Sequence, residues 1–134
     1  MKKTKNKIKI CIPSYLENLT IARAMVRVYL KGHNINETDT VQLLAVLDEL
    51  ATNAIEHGYG YSDRGEIKIV LNIFEKTVFL TVEDNGKGYE GNQDSKEDGG
   101  FGLFIVKKLV DVFKIEKKTK GTIFKIEKKL REAV

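Results

Sequence analysis

The order in which two hydrophobic periodicities follow one another constrains the fold of this chain more than any other feature. Apolar residues recur at every second position in some segments, as in a half-buried strand, and at three- and four-residue steps in others, as in an amphipathic helix. The resulting order is strand, helix, helix, strand, strand, loop, helix, strand and strand. Because this order contains few helices for its strands, it predicts an α+β fold, a two-layer α/β sandwich with a mixed sheet and three main helices on one face.

Turn and capping residues set the bounds of the predicted elements. Ser14 can cap a helix that continues to about Lys31, and Asn36 can cap a second helix. The segments 66–75 and 77–84 are joined so tightly that they predict a hairpin. The complete set of predicted elements is a strand at 8–12, helices at 14–31 and 36–58, strands at 66–75 and 77–84, a helix at 101–113, and strands at 113–118 and 122–130.

Length and composition limit the chain to one globular domain. Its 134 residues are a single-domain length, 42% of them are apolar and 31% are charged. These values exclude a disordered chain and a collagen, and no stretch approaches the ~18 apolar residues of a membrane-spanning helix. The single cysteine, Cys11, cannot form an internal disulfide or a cysteine zinc site, which indicates a reducing compartment. We therefore expect one cytoplasmic domain covering residues 1–134, with no membrane association.

The net charge of +4 conceals a separation of charges along the chain. Residues 1–9 contain five lysines and no acid, and residues 107–134 contain ten basic and four acidic residues. Residues 10–106 therefore hold eight basic and fifteen acidic residues, and this excess of carboxylates around polar motifs suggests a divalent cation. The basic end alternates lysine with isoleucine and phenylalanine, which is typical of a solvated sheet face. Nucleic-acid binding by these strands is the weaker alternative.

The segment LDELATN at 47–53 places a carboxylate and an amide on one face of a predicted helix. Glu49 and Asn53 are four residues apart, so they project from the same side of the helix, one turn from each other. Such a pair is often an ordinary surface pair. It also suits a site in which the Asn53 side-chain oxygen binds Mg²⁺ and the Glu49 carboxylate accepts a proton as a general base.

Two glycine-containing segments suggest where a nucleotide could lie. In VEDNGKG at 82–88, Asp84 ends a strand and can accept a hydrogen bond from an exocyclic amine such as that of adenine. Gly86 and Gly88 would let the backbone approach a flat ligand closely, although D-N-G is also a common turn. In GGFGLFIVKKL at 99–109, glycines precede a helix whose free N–H groups can bind phosphate, although such a helix start is as common without an anion.

Together these motifs resemble those of the GHKL ATPase superfamily, which includes gyrase, MutL and the histidine kinases. The shared order is Glu-x-x-x-Asn on a helix, Asp-x-Gly-x-Gly after a strand, Gly-x-Gly-Leu at a helix start and Gly-Thr before the last strand. The resemblance covers essentially the whole chain. Within the superfamily, DELATNAIEHGYG and IARAMVRVYL are most similar to the anti-sigma factor serine/threonine protein kinases of bacteria.

The resemblance implies a role for each matching residue. It implies ATP or ADP and Mg²⁺ as ligands, with Glu49 as the general base, Asn53 as the magnesium ligand and Asp84 at the adenine contact. The residues that would complete the nucleotide site are Gly86, Gly88, Gly100, Gly102, Leu103 and Thr122. Arg23 falls at the position of a first-helix arginine that the family uses for partner contacts.

The resemblance also implies a function and partners. It predicts an anti-sigma factor that phosphorylates a serine of a small antagonist protein and sequesters a sigma factor, with a homodimer among the expected assemblies. The segment 89–99 would form the lid over the triphosphate, and residues 89–98 carry four acids, one lysine and no arginine. Because phosphoryl transfer depends on stabilising the charge of the γ-phosphate, this acidic lid leaves open a second function, a nucleotide-gated regulator without phosphotransfer.

Overall fold

Five strands and three α-helices follow one another in the predicted order within residues 6–58, 65–86 and 100–131, which are the residues that the computed structural model describes. Their bounds are β1 Ile8–Pro13, α1 Asn18–Gly32, α2 Glu37–Asn53, a π-helical turn Ala54–Gly58, β2 Glu66–Phe74, β3 Thr77–Asp84, α3 Gly100–Leu109, β4 Val112–Lys117 and β5 Thr122–Lys129. None of the described helices is both long and apolar enough to cross a membrane.

The strands form one sheet in the order β1-β2-β3-β5-β4. Every neighbouring pair is antiparallel, including β3 and β5, in which Asp84 lies opposite Thr122. The predicted α+β class with three helices is confirmed, but the sheet is antiparallel throughout rather than mixed. After α1 and α2 the chain continues as β2, which runs antiparallel beside β1. Strand β5 lies between β3 and β4, so β3 and β4 run parallel to each other.

The helices cover one face of the sheet, where alternate strand residues are buried. Ile69, Leu80 and Phe124 on this face are almost fully buried, whereas their neighbours along each strand are half-buried or exposed. Helix α2 contributes Leu47 and Leu50 to the same core, and both are fully buried. Truncating a core leucine to alanine costs ~2–5 kcal/mol, so these contacts hold α2 firmly against the sheet.

The two predicted helix caps have different outcomes. Asn36 caps α2 as predicted, because its side-chain oxygen accepts a hydrogen bond from the Asp39 amide at 2.8 Å. Ser14 does not cap α1, which begins only at Asn18. Instead, the Ser14 hydroxyl accepts a hydrogen bond from the Gly65 amide at 3.2 Å, and the Ser14 amide donates to the Gly65 carbonyl at 3.0 Å. Ser14 therefore joins the end of β1 to the start of β2.

Helix α3 ends four residues earlier than predicted, at Leu109 rather than at residue 113. Beyond it, the Asp111 amide donates to the Glu127 carbonyl at 2.9 Å, and pairing with β5 has begun at Val112. The Lys128 ammonium group donates to the Leu109 carbonyl at 2.6 Å and so satisfies a free carbonyl at the helix end. Lys128 is only 6% exposed, so the prediction of a solvated face for the basic end fails at this lysine.

Candidate functional site

Helix α2 holds Glu49 and Asn53 at the border of the core. Asn53 is 5% exposed, and its side-chain Nδ2 donates to the Glu49 backbone carbonyl at 2.8 Å. This hydrogen bond uses the amide nitrogen and leaves the side-chain oxygen Oδ1 as the atom that a cation could use. The pair therefore has the arrangement that the i, i+4 spacing predicted, with one side chain locked by the backbone of the other.

Helix α3 brings Gly102 directly against the Glu49 carboxylate. A Cβ atom built on Gly102 would lie 1.9 Å from Glu49 Oε2 and 2.6 Å from Glu49 Cδ, so a larger residue would displace this carboxylate. Two motifs that are far apart in the sequence thus form one corner of the site. The start of α3 faces this corner, and free N–H groups at a helix start favour anions such as phosphate.

The electrostatic surroundings of Glu49 favour its protonated form. Burial raises the pKa of the Glu49 carboxyl, and the neighbouring Asp48 carboxylate raises it further. Burial also raises the pKa of Asp48, and this effect is opposed by Arg23, whose Nε lies 3.1 Å from Asp48 Oδ1. A carboxylate whose pKa lies above its ordinary value is closer in basicity to what a general base needs near neutral pH.

A second corner of the site forms where β3 ends. Asp84 is 2% exposed, and its Oδ1 accepts a hydrogen bond from the Gly86 amide at 2.9 Å. Burial raises the pKa of Asp84, whereas the Gly86 amide, the Lys118 ammonium group and the Thr122 amide oppose this rise by stabilising the ionised form. A buried carboxylate of this kind can accept a hydrogen bond from a ligand amine.

Gly121 belongs to the same corner, and the sequence marks it only as the first residue of the Gly-Thr pair before the last strand. Its φ is +105°, and a Cβ atom there would lie 1.9 Å from the Asp84 carbonyl oxygen and 2.7 Å from its carbonyl carbon. Both facts demand glycine, because an L side chain would clash with the backbone of β3. The signal was present in the Gly-Thr pair before the last strand, but its meaning depends on β3 lying beside it.

Lys118 also belongs to this corner, and no motif identifies it. Its ammonium group contacts the Glu83 carboxylate and the Asn85 side-chain oxygen and lies 3.3 Å from the Asp84 carbonyl oxygen. In the sequence, Lys118 is one lysine of an alternating basic stretch, so no local pattern distinguishes it.

The remaining predicted site residues have varied positions. Gly100 begins α3, Thr122 begins β5 with its side chain buried, and Leu103 is buried in the hydrophobic core. Leu103 would thus act on a ligand through the packing of α3. Gly88 and the predicted lid at 89–99 lie outside the described residues.

Nucleotide and Mg²⁺ fit this arrangement on chemical grounds. The buried Asp84 carboxylate supplies an acceptor for a base, and Asn53 Oδ1 supplies an oxygen for a cation. Within the described residues, no group of three or more His, Cys, Asp or Glu side chains could hold a metal. A hard cation near Asn53 would therefore take most of its oxygen ligands from water and phosphate, as Mg²⁺ commonly does.

The fold and its site together define a nucleotide-binding domain of the ATPase class. The chain belongs to the family described as the histidine kinase-like ATPase domain, whose family model matches residues 12–128. An anti-sigma F factor of Clostridium novyi (strain NT) is 29% identical to it over 94% of this chain and 96% of that protein. A serine-protein kinase RsbW of Bacillus velezensis (strain DSM 23117 / BGSC 10A6 / LMG 26770 / FZB42) is 24% identical over 87% of this chain and 81% of that protein.

A solved structure supports the fold independently. The RsbU and RsbW domains of a Mycobacterium tuberculosis protein superpose on this chain with a TM-score of 0.75 at 22% sequence identity. The superposition covers 95% of this chain and 33% of that one, so this chain spans about a third of that structure. At this identity the likeness concerns the fold alone.

Proposed function

We propose that this chain is an ATP- and magnesium-binding anti-sigma factor that phosphorylates a serine of a small antagonist protein and sequesters a sigma factor. The contact between Glu49 and Gly102 carries this proposal, because it places a half-buried carboxylate of raised pKa against the start of α3. The similarity to proteins named anti-sigma F factor and serine-protein kinase RsbW supports the same function. Its site of action would be the cytoplasm, and it could act there as a homodimer.

The two corners of the site divide the work of the proposed reaction. Asp84 would accept a hydrogen bond from the adenine amine and fix the nucleotide at one end. Asn53 Oδ1 would hold Mg²⁺, which neutralises phosphate charge when it is bound. At the other end, Glu49 would accept the proton of the substrate serine while the serine oxygen forms a bond to the γ-phosphorus. The bond between the γ-phosphorus and the β–γ bridging oxygen breaks, and ADP leaves with its electrons.

Intact-mass spectrometry of candidate substrates tests the proposed phosphotransfer. Small proteins captured from native lysate by the tagged domain are incubated with Mg-ATP, and a gain of ~80 Da reports transfer of one phosphate. Glu49→Gln should lower the transfer rate by ~10²–10⁴-fold, since a positioned general base contributes about that much. Glu37→Gln is the matched control, because Glu37 lies in the first turn of the same helix and its side chain is exposed.

The outcomes of this experiment are distinct. If Glu49→Gln retains ADP affinity and loses transfer while Glu37→Gln keeps both, the assignment of Glu49 as the base is confirmed. If transfer persists in Glu49→Gln, that assignment is wrong. If partners are captured and none gains mass with the unaltered chain, the alternative function applies, a nucleotide-gated regulator without phosphotransfer. The acidic, arginine-free composition of residues 89–98 favours that alternative.

The proposed partner surface lies on α1 beside the site. Arg23 and Arg27 line a surface cleft of about 250 Å³ between α1 and α2, and the Arg23 side chain is half-exposed while it pairs with Asp48. Arg23→Ala should weaken capture of the sigma factor or the antagonist and leave ADP affinity unchanged. Equal capture by Arg23→Ala and the unaltered chain in a pull-down would contradict a partner role for Arg23.

A further inference from the structure

Lys118 connects two segments that meet at the Asp84 corner. Its backbone amide donates to the Gly121 carbonyl at 3.0 Å and closes the turn between β4 and β5. Its ammonium group contacts the last two residues of β3, through the Glu83 carboxylate and the Asp84 carbonyl oxygen at 3.3 Å, and the side-chain oxygen of Asn85, which follows the strand. An ammonium group has three donors, and here each of them has an acceptor.

This arrangement differs from an ordinary surface ion pair. The side chains of Lys118 and Glu83 are 24% and 23% exposed, and Lys68 lies 3.9 Å from the same Glu83 carboxylate. In the same hairpin, Lys125 pairs with Glu116 at 3.0 Å, but those side chains are 44% and 48% exposed. Exposed pairs contribute little, whereas hydrogen bonds to charged groups that are partly shielded from water are stronger.

The three contacts of Lys118 surround the residue that would bind the base. Asp84 lies between the other two contacted residues, and its carbonyl oxygen contacts the Lys118 ammonium group and lies close to Gly121. The direction of the Asp84 carboxylate depends on the turn that follows, because its Oδ1 is held by the Gly86 amide. A loosened turn would therefore let the carboxylate rotate away from a bound base.

We propose that Lys118 is a positioning residue that holds the turn from Glu83 to Gly86 so that the Asp84 carboxylate discriminates adenine from guanine. Adenine presents an amine donor at C6, and a fixed carboxylate accepts its hydrogen bond. Guanine presents a carbonyl oxygen there, which the same carboxylate repels. This inference rests on the proposed binding of adenine nucleotides and adds a residue that controls the choice of base.

Lys118→Met tests this role, because methionine keeps an unbranched apolar side chain and removes the ammonium group. Lys118→Arg keeps a positive charge with several donors, and Lys125→Met is the matched control in the same hairpin. The affinities of the full chain for ADP and GDP are measured by titration calorimetry. Exchange of the Gly86 and Thr122 amide hydrogens is measured in the nucleotide-free protein.

In Lys118→Met, we expect the ratio of ADP to GDP affinity to fall about 10-fold, as the loss of one charge-assisted contact would cause. The Gly86 amide should exchange faster, Lys118→Arg should recover part of the ratio, and Lys125→Met should change neither quantity. Equal losses of ADP and GDP affinity, or an unchanged ratio, would overturn the inference.

If Lys118→Met does not fold, Asn85→Ala is the second variant. It removes one acceptor of the Lys118 ammonium group and should lower the ratio of ADP to GDP affinity by a smaller factor. An unchanged ratio in Asn85→Ala would also overturn the inference.

Failure of the proposed function gives a different result. An unaltered chain that binds no adenine nucleotide would overturn the proposed function and this inference together. If the unaltered chain prefers ADP to GDP and the Lys118→Met variant shows the same preference, the inference is wrong but the proposed function is not affected.

Discussion

The two corners of the site are built in different ways. At the proposed base-binding corner, formed by Asp84 and Gly121, backbone meets backbone: Gly121 lies against the Asp84 carbonyl, and β3 and β5 pair along their whole length. At the proposed catalytic corner, formed by Glu49 and Gly102, the atoms nearest to an added Cβ belong to the far end of the Glu49 side chain, which can rotate about its own bonds. The first corner is therefore part of the folded framework, whereas the second is an adjustable contact between two helices.

This difference predicts that the same kind of substitution affects mainly the free energy of unfolding at one corner and mainly phosphotransfer at the other. Changes at the base-binding corner should disturb the fold and ligand binding together wherever they affect the backbone. Changes at the catalytic corner should alter phosphotransfer with little effect on the free energy of unfolding. The following variants test this contrast.

The largest effect is expected for Gly121→Ala. A methyl group there would lie 1.9 Å from the Asp84 carbonyl oxygen, and φ at +105° is strained for alanine, so neither strand can adjust cheaply. The free energy of unfolding measured with urea should fall by ~3 kcal/mol or more. Gly32→Ala is the control, because no atom lies within 4 Å of its added Cβ, and it should stabilise α1 by ~0.5–1 kcal/mol.

Asp84→Asn should weaken ADP binding by ~10–100-fold, since a hydrogen bond to a charged group contributes ~1.5–3 kcal/mol, with a smaller change in stability. Burial raises the pKa of Asp84, so its ionisation lowers the stability of the fold as the pH rises through that pKa. A neutral amide avoids this cost and can still accept from the Gly86 amide, but its NH2 group cannot accept from the Thr122 amide, so the two effects on stability oppose each other. Calorimetric titration and thermal unfolding at pH 7 check both parts. Unchanged ADP affinity would show that the base lies elsewhere.

Gly102→Ala should lower phosphotransfer by ~10-fold or more, because the added methyl group would force the Glu49 carboxylate out of its position. The obstructing atoms are the end of a flexible side chain, so the free energy of unfolding should change by less than ~1 kcal/mol. Single-turnover transfer and urea unfolding are the measurements. A variant that loses stability as severely as Gly121→Ala would contradict the contrast between the corners.

The smallest effect is expected for Asp48→Asn, which should shift the acidic limb of the phosphotransfer profile by less than ~1 pH unit. A general base must be ionised, so the rate falls as the pH drops through the pKa of Glu49, which burial and Asp48 both raise. Removing the Asp48 charge lowers that pKa and moves the limb to lower pH. Rates measured from pH 5 to 8 check this, and a shift to higher pH would contradict it.

Local sequence patterns predicted those features of the fold and the site that depend on neighbouring residues. The Glu49–Asn53 spacing, the Asn36 cap and the hairpin between β2 and β3 all follow from neighbouring residues. Predictions failed where distant segments decide. Ser14 bonds to Gly65 instead of capping α1. Helix α3 ends early because the residues that follow it pair with β5.

The same reason explains what the sequence did not reveal about two site residues. The Gly-Thr pair marked Gly121 without showing why glycine is required, and Lys118 is an ordinary lysine until the turn before β5 places it beside the end of β3. The antiparallel sheet likewise depends on where β5 inserts, which strand periodicity does not specify. Motif spacing therefore predicted a chemistry for each corner, but the framework that holds the corners became visible only in the fold.

The most direct test of this account is a crystal structure of the chain with Mg²⁺ and a non-hydrolysable ATP analogue. The account predicts that the adenine amine lies within hydrogen-bonding distance of the Asp84 carboxylate, that the metal contacts Asn53 Oδ1, and that the γ-phosphate faces Glu49. A base bound away from Asp84, or a triphosphate directed away from Glu49 and Gly102, would contradict it.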